Sequence, residues 1–209
     1  MKNGFSDSLE RTGGELTKKG QQIVQTAESL FVRHGIKRIT IGEICLKAGV
    51  SKMTFYKYFK NKQDLVKQVL TDWFNDWHRK LDDVDALACS FPEKAEMMME
   101  YKLELARKFS PEFIEDFYHL DADLNSFLEE RYRAAYGRLR EFFMKAQGDG
   151  TIRPDIKPEF IMYIVDRMNE MFGDKRLSDL YPDYGELTQE MFNLFYYGIL
   201  SKPGDSASS

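Results

Sequence analysis

The sequence predicts an all-α protein with a small basic helical head and a larger acidic helical body. Three observations carry that reading. Apolar residues recur at helical spacing from Thr17 to Leu200. Gly and Pro fall where helices should end or begin. No stretch shows the strict apolar/polar alternation of a half-buried strand. The 209 residues are 43% hydrophobic and 31% charged, with 16 Phe and 11 Tyr, enough for a substantial core.

Residues 1–16 lack periodicity and are expected to form a mobile arm. The head then occupies 17–62, the body 63–200, and a small polar tail 201–209, expected to be disordered. Residues 1–62 hold twelve Lys/Arg and five Asp/Glu, a surplus of seven positive charges. The remainder holds eighteen basic and twenty-nine acidic residues, a surplus of eleven negative ones, which together give the net −4. A basic head on an acidic body points to a polyanion-binding head. No apolar run approaches the ~18 residues of a membrane span, and no signal-peptide pattern opens the chain, so a cytoplasmic protein is expected. Cys45 and Cys89 fall in different predicted helices without CxxC or Cys/His spacing, which argues against a disulfide framework or a zinc site.

Thr17 is placed to cap a first helix over Lys18–His34, whose inner face is Ile23, Val24, Ala27, Leu30 and Phe31. Gly35 occupies the position after the helix that requires a left-handed backbone. Thr40-Ile41-Gly42-Glu43 has the form of a capping box and opens a short helix burying Ile41, Ile44, Cys45 and Ala48. Gly49-Val50 makes a turn, and Ser51 caps a third helix from Lys52 to about Phe59, with Phe55 and Phe59 on its inner face. Asn61 caps a fourth, with Asp64 at its third position and Leu65, Val66, Val69, Leu70, Trp73, Phe74 and Trp77 on its buried side. Further helices are predicted from Pro92 to Phe109, Pro111 to Tyr118, Leu124 to Gln147, Pro158 to Phe172 and Gly185 to Leu200.

Residues Ile41–Phe59 therefore have the pattern of a helix–turn–helix, the architecture that places one helix in the major groove of DNA. Phosphate contacts need short hydroxyl donors at helix N-termini together with cations. Thr40 and Ser51 supply the first, Lys52, Lys57, Lys60 and Lys62 the second, and the Tyr56 hydroxyl faces outward. Lys52, Met53 and Thr54, at the start of the third helix, are placed to meet base edges: Lys52 a guanine, Met53 and the Thr54 methyl a thymine methyl. Lys18 or Lys19 can reach the DNA backbone. Taken singly, each of these residues also fits a solvated surface.

The string from Gly49 through Val50, Ser51, Lys52, Met53, Thr54, Phe55, Tyr56, Lys57, Tyr58, Phe59, Lys60 and Asn61 to Lys62 resembles the signature of the TetR (tetracycline-repressor-like) family. The helix ending in Phe31-Val32-Arg33-His34-Gly35 and the start Ile39-Thr40-Ile41 are similar to that family as well. The resemblance is strong over about 17–75 and loose beyond it, apart from Gly150-Thr151-Ile152-Arg153-Pro154-Asp155, which resembles a recurrent family turn. One departure is Gly42, where some members carry a long polar side chain that contacts a base. Readout from that helix should be weak here.

The resemblance implies a homodimer on double-stranded operator DNA and a small-molecule effector held by the body. In the family the last two helices pair with their symmetry mates. Here that implies an interface of Ile161, Ile164, Val165, Met168, Phe172, Leu187, Met191, Leu194, Phe195 and Gly198, unless these helices simply close the monomer core. The family's ligand cavity implies a pocket drawn from Trp73, Trp77, Met97, Met98, Tyr101, Leu105, Phe109, Phe113, Phe117, Phe127, Tyr132, Tyr136 and Tyr163, suited to an apolar or aromatic effector. Glu100, Glu104 or Asp116 would add a preference for cations. No cofactor, metal or catalytic residue is expected: His34, His78 and His119 are far apart, and no phosphate loop or nucleophile motif is present. The competing readings are a helical protein-interaction adaptor and an enzyme with scattered catalytic residues.

Overall fold

A computed structural model describes residues 11–12, 15–181 and 183–200. Two two-residue strands, β1 (Arg11–Thr12) and β2 (Glu15–Leu16), pair antiparallel within the segment expected to be an irregular arm. The remainder of that arm and the tail 201–209 lie outside the described residues. Ten helices follow: α1 (Lys18–His34), α2 (Ile41–Lys47), α3 (Lys52–Tyr58), α4 (Lys62–Asp85), α5 (Phe91–Ala106), α6 (Pro111–Tyr118), α7 (Ala122–Gly148), α8 (Pro158–Met171), α9 (Lys175–Leu180) and α10 (Tyr184–Ile199). The all-α expectation is met. The short α9 was not foreseen, and α5 stops three residues before Phe109, at Ala106. Among the described residues no helix is long and apolar enough to cross a membrane.

The chain divides into two compact units. The first takes residues up to Asp72 together with Ser110–Leu124, and the second takes Trp73–Phe109 with Asn125 onward. The first unit is thus larger than the 17–62 segment, because α6 returns to pack on α1. The Ser110 amide donates to the Val32 carbonyl at 2.8 Å and the Lys37 amide to Asp116 Oδ2 at 2.7 Å. Gly35 makes that approach possible. Its φ is 82°, and a Cβ there would lie 2.7 Å from Asp116 Oδ2. The core of this unit is Ile23, Ala27, Phe31, Ile44, Phe55 and Leu65, each 1% exposed or less. Thr17 stands at the N-cap of α1, but its side chain makes no cap hydrogen bond. Its hydroxyl instead meets that of Tyr58 at 2.6 Å.

The second unit has a core of Leu81, Val84, Phe91, Met98, Phe142, Ile152 and Ile161. Ile152, in the 150–155 turn, is fully buried and bridges to Leu200, while the Arg153 amide donates to the Ile199 carbonyl at 3.0 Å. The turn therefore ties the end of α10 back to the end of α7. Lys94, buried among these helices, gives its ammonium to the Asp85 carbonyl at 2.6 Å. Asp85 also receives Lys145 at 3.1 Å, and these two ammonium groups lower its pKa despite partial burial.

Candidate nucleic-acid interface and ligand cavity

The two short helices of the motif are held by side-chain caps at their N-termini. Thr40 Oγ1 accepts the Glu43 amide at 3.2 Å, while Glu43 Oε2 accepts the Thr40 amide at 2.8 Å and its hydroxyl at 2.7 Å. Those bonds stabilise the ionised carboxylate and lower the Glu43 pKa. They also put a negative charge where a phosphate would otherwise sit, so Thr40 grips an anion here only against Glu43. Ser51 Oγ accepts the Thr54 amide at 3.0 Å and shares a second bond with the Thr54 hydroxyl at 3.0 Å, which aligns the first turn of α3. Between them Gly49 turns the chain at φ 63°, with open space where a Cβ would stand.

α3 buries Phe55 and Tyr58 and turns its other face to solvent. Met53 is 76% exposed and Tyr56 55%, its ring set edge-on to Phe55 with centroids 5.4 Å apart. Lys52, Lys57 and Lys60 are exposed, and their ammonium groups have no recorded partner among the described residues. A Cβ at Gly42 would rest 3.8 Å from Lys52 Cε. The Lys52 stem therefore passes beside Gly42 and brings its charge toward the start of α2. Leu46, 80% exposed on α2, was not singled out in the sequence because it lies off that helix's apolar stripe.

Lys62 is a correction. Expected among the phosphate-gripping cations, it is half-buried, and its ammonium donates to the carbonyls of Ile36 at 2.8 Å, Ile39 at 2.9 Å and Lys37 at 3.1 Å. All three of its donors are used to hold the α1–α2 loop. Burial lowers its pKa, against the opposing pull of Asp116 and Glu43.

In the second unit a cavity of about 100 Å³ lies among α4, α5, α7, α8 and α10. Trp77 and Met98 line it as expected, but most of the expected pocket residues do not. Phe113 and Phe117 belong to α6 and pack in the first unit, with centroids 5.9 Å apart. Tyr163 is 56% exposed beside Arg167. Trp73 pairs with Phe109 at 5.6 Å and Tyr132 stacks on Tyr136 at 5.9 Å, and none of the four is part of the lining. Phe127 lies under Arg131. Met97, Tyr101 and Leu105 follow each other at four-residue spacing on a stripe of α5 neighbouring the lining face of Ala95, Met98 and Lys102.

The missed lining residues include Lys102, Phe142, Phe143, Met168, Phe192 and Tyr196. Lys102 continues the Ala95–Met98 stripe, but that spacing does not say that the stripe faces a cavity. Its position reverses the expected charge. Glu100 and Glu104 are exposed and absent from the lining, and Asp116 is bonded to Lys37 in the other unit.

The expected interface is also corrected in part. Val165 and Leu187 are buried in the monomer's own core, Ile161 and Met191 are buried but border the α8–α10 groove, and Phe172 packs against Tyr184. What remains outward is a shallow apolar groove of about 390 Å³ between α8 and α10, lined by Phe160, Ile164, Met171, Leu194, Phe195 and Gly198 among others. Leu194 is 82% exposed and Phe160 56%.

A capped scaffold helix, a glycine turn and a second helix with an exposed, basic face define the helix–turn–helix class of DNA-reading proteins. Residues 23–69 match the family described as bacterial regulatory proteins, tetR family. The chain is 35% identical over 88 residues to the HTH-type transcriptional regulator TtgR of Pseudomonas putida, a match covering 39% of this chain and 41% of that protein. It is 24% identical over 155 residues to the HTH-type transcriptional repressor KstR2 of Mycolicibacterium smegmatis, covering 72% and 75%. The fold is similar to that of FadR from Bacillus subtilis, solved in complex with stearoyl-CoA, with a TM-score of 0.68, 18% identity and coverage of 86% and 98%. The likeness to that family is carried by residues 23–69. The chain spans about two fifths of the length of TtgR.

Proposed function

We propose that the protein is a ligand-responsive DNA-binding transcriptional regulator, a homodimeric repressor released from a palindromic operator by a small effector. The observation that carries this reading is the outer face of α3, where Lys52, Met53, Tyr56 and Lys57 stand exposed on a helix locked by its caps. On that face Lys52, Met53 and Thr54 read bases, and Tyr56, Lys57 and Lys60, with Ser51, hold phosphates. The apolar cavity of the second unit supports an effector site, and KstR2, by its name, is a repressor. The apolar groove of α8 and α10 fits a second copy of the same chain. Two heads must reach major-groove segments roughly 34 Å apart, which a single copy cannot do.

Gel-shift measurements across a library of genomic fragments test the reading. We expect selective binding to fragments with an inverted repeat, weakening steeply as salt rises because phosphate contacts release counterions. Absent binding, or binding indifferent to both sequence and salt, refutes it.

A further inference from the structure

The cavity of the second unit is apolar except for a few groups, and two of these are unmatched. Phe142, Phe143, Met168 and Phe192 are typical of its walls. Asn169 bonds the Tyr136 hydroxyl at 3.3 Å, and the Thr188 hydroxyl donates to the Tyr184 carbonyl at 2.7 Å, so both have partners. The Tyr196 hydroxyl is buried with no hydrogen-bond partner. Lys102 supplies the one charge on the lining, and among the described residues no carboxylate or carbonyl is recorded against its ammonium. Lys102 stands on the lining and keeps accessible side-chain surface.

We infer that the effector is a small amphipathic carboxylate whose anionic head is taken by Lys102 and the Tyr196 hydroxyl and whose aryl or short acyl body fills the apolar walls. The inference rests on the regulator reading for its consequence, but not for the binding itself. An ammonium carries three donors and no acceptor, and a phenol hydroxyl left unpaired offers a donor, so the group that satisfies both is an acceptor with negative charge. Leaving the buried Tyr196 hydroxyl unpaired in an apolar setting is costly, and desolvation by the surrounding protein lowers the Lys102 pKa. Size limits the body of the ligand. A cavity of about 150 Å³ admits benzene, so about 100 Å³, widened by rotation of Met98, Met168 and Met191, suits one ring or a short chain and not a nucleotide.

The test is calorimetric titration of the full-length protein, without DNA, with phenylacetate and hexanoate and with their neutral amides, phenylacetamide and hexanamide. We expect each carboxylate to bind at least tenfold more tightly than its amide. Lys102→Met should abolish that preference, and Lys102→Arg should keep part of it. Equal affinity for acid and amide, a preference that survives in Lys102→Met, or no binding of either acid at millimolar concentration overturns the inference. Circular dichroism of Lys102→Met separates lost recognition from lost folding, and the tenfold preference in the wild-type protein is required whatever that variant does. A gel shift run in parallel separates the two readings. Carboxylates that bind the protein without releasing any DNA leave this site standing and remove the effector role. DNA released by neutral compounds alone leaves the regulator standing and removes the carboxylate.

Discussion

The carboxylate of Asp116 accepts the backbone amide of Lys37 at 2.7 Å and stands 3.4 Å from that residue's ammonium, joining positions 79 residues apart. The Asp116 side chain is 13% exposed, while the Lys37 side chain stays in solvent. It holds α6 against the end of α1, directly over Gly35. Replacing Asp116 with Ala should lower the stability of the first unit by about 1–3 kcal/mol, the usual loss for a charged hydrogen bond. Gly35→Ala should cost at least as much, since it adds a left-handed strain to a 2.7 Å clash. Urea unfolding followed by tryptophan-independent circular dichroism measures both. A midpoint unchanged by Asp116→Ala contradicts the argument.

Lys62 is the second prediction. Its ammonium binds three loop carbonyls, so Lys62→Met should destabilise the head by about 1–3 kcal/mol. The salt dependence of DNA affinity, measured on the folded variant, should keep its slope, because no phosphate contact has been removed. A slope reduced by about one unit would return Lys62 to the phosphate-binding set.

The Thr40–Glu43 capping box predicts a pH effect with a definite sign. Glu43 has its folded-state pKa below the ordinary 4.5, through hydrogen bonds from Thr40. Its contribution is therefore present above about pH 4.5 and is lost as pH falls through the lowered value. Glu43→Gln should flatten the acid side of the stability profile. The same change removes a negative charge beside the proposed phosphate grip, so DNA affinity should rise or hold, measured at neutral pH. A fall in affinity by the folded variant would mean that Glu43 orients α2 for binding and does not merely oppose it.

Two substitutions on α3 separate its proposed roles. Tyr56→Phe removes a hydroxyl directed at the backbone and should weaken all operator variants alike, by about 0.5–1.5 kcal/mol. Lys52→Ala should relax preference at one or two base positions, each worth about 1–3 kcal/mol. Indistinguishable profiles across a panel of operator variants would reject this division.

Leu194, 82% exposed in the groove between α8 and α10, is the residue to charge. Sedimentation at micromolar concentration should show a dimer for the wild-type protein and a monomer for Leu194→Glu. DNA affinity should fall with it, since one head alone holds half a site. A wild-type monomer refutes the interface.

The local elements of the head were legible because their determinants lie within four residues of one another. Thr40 with Glu43, Ser51 with Thr54, Asn61 with Asp64 and glycine at 35 each meet their requirement inside a single turn. The helix starts at Pro111 and Pro158 were readable for the same reason. In the body, periodicity identified which residues were apolar but not which neighbour each stripe would meet. Trp73 and Tyr132 had the right chemistry for a pocket and turned to other aromatic partners.

What the sequence by itself determined is the class of fold, the capped helix–turn–helix and its exposed basic face. All of these follow from short-range spacing and charge. The tertiary structure alone decided that Lys62 serves three loop carbonyls, that Asp116 anchors α6 beside Gly35, and that Lys102 stands as the charge on an apolar cavity. Each depends on which helix faces another across dozens of residues. That choice is made by burial summed over whole faces, and no local pattern encodes it.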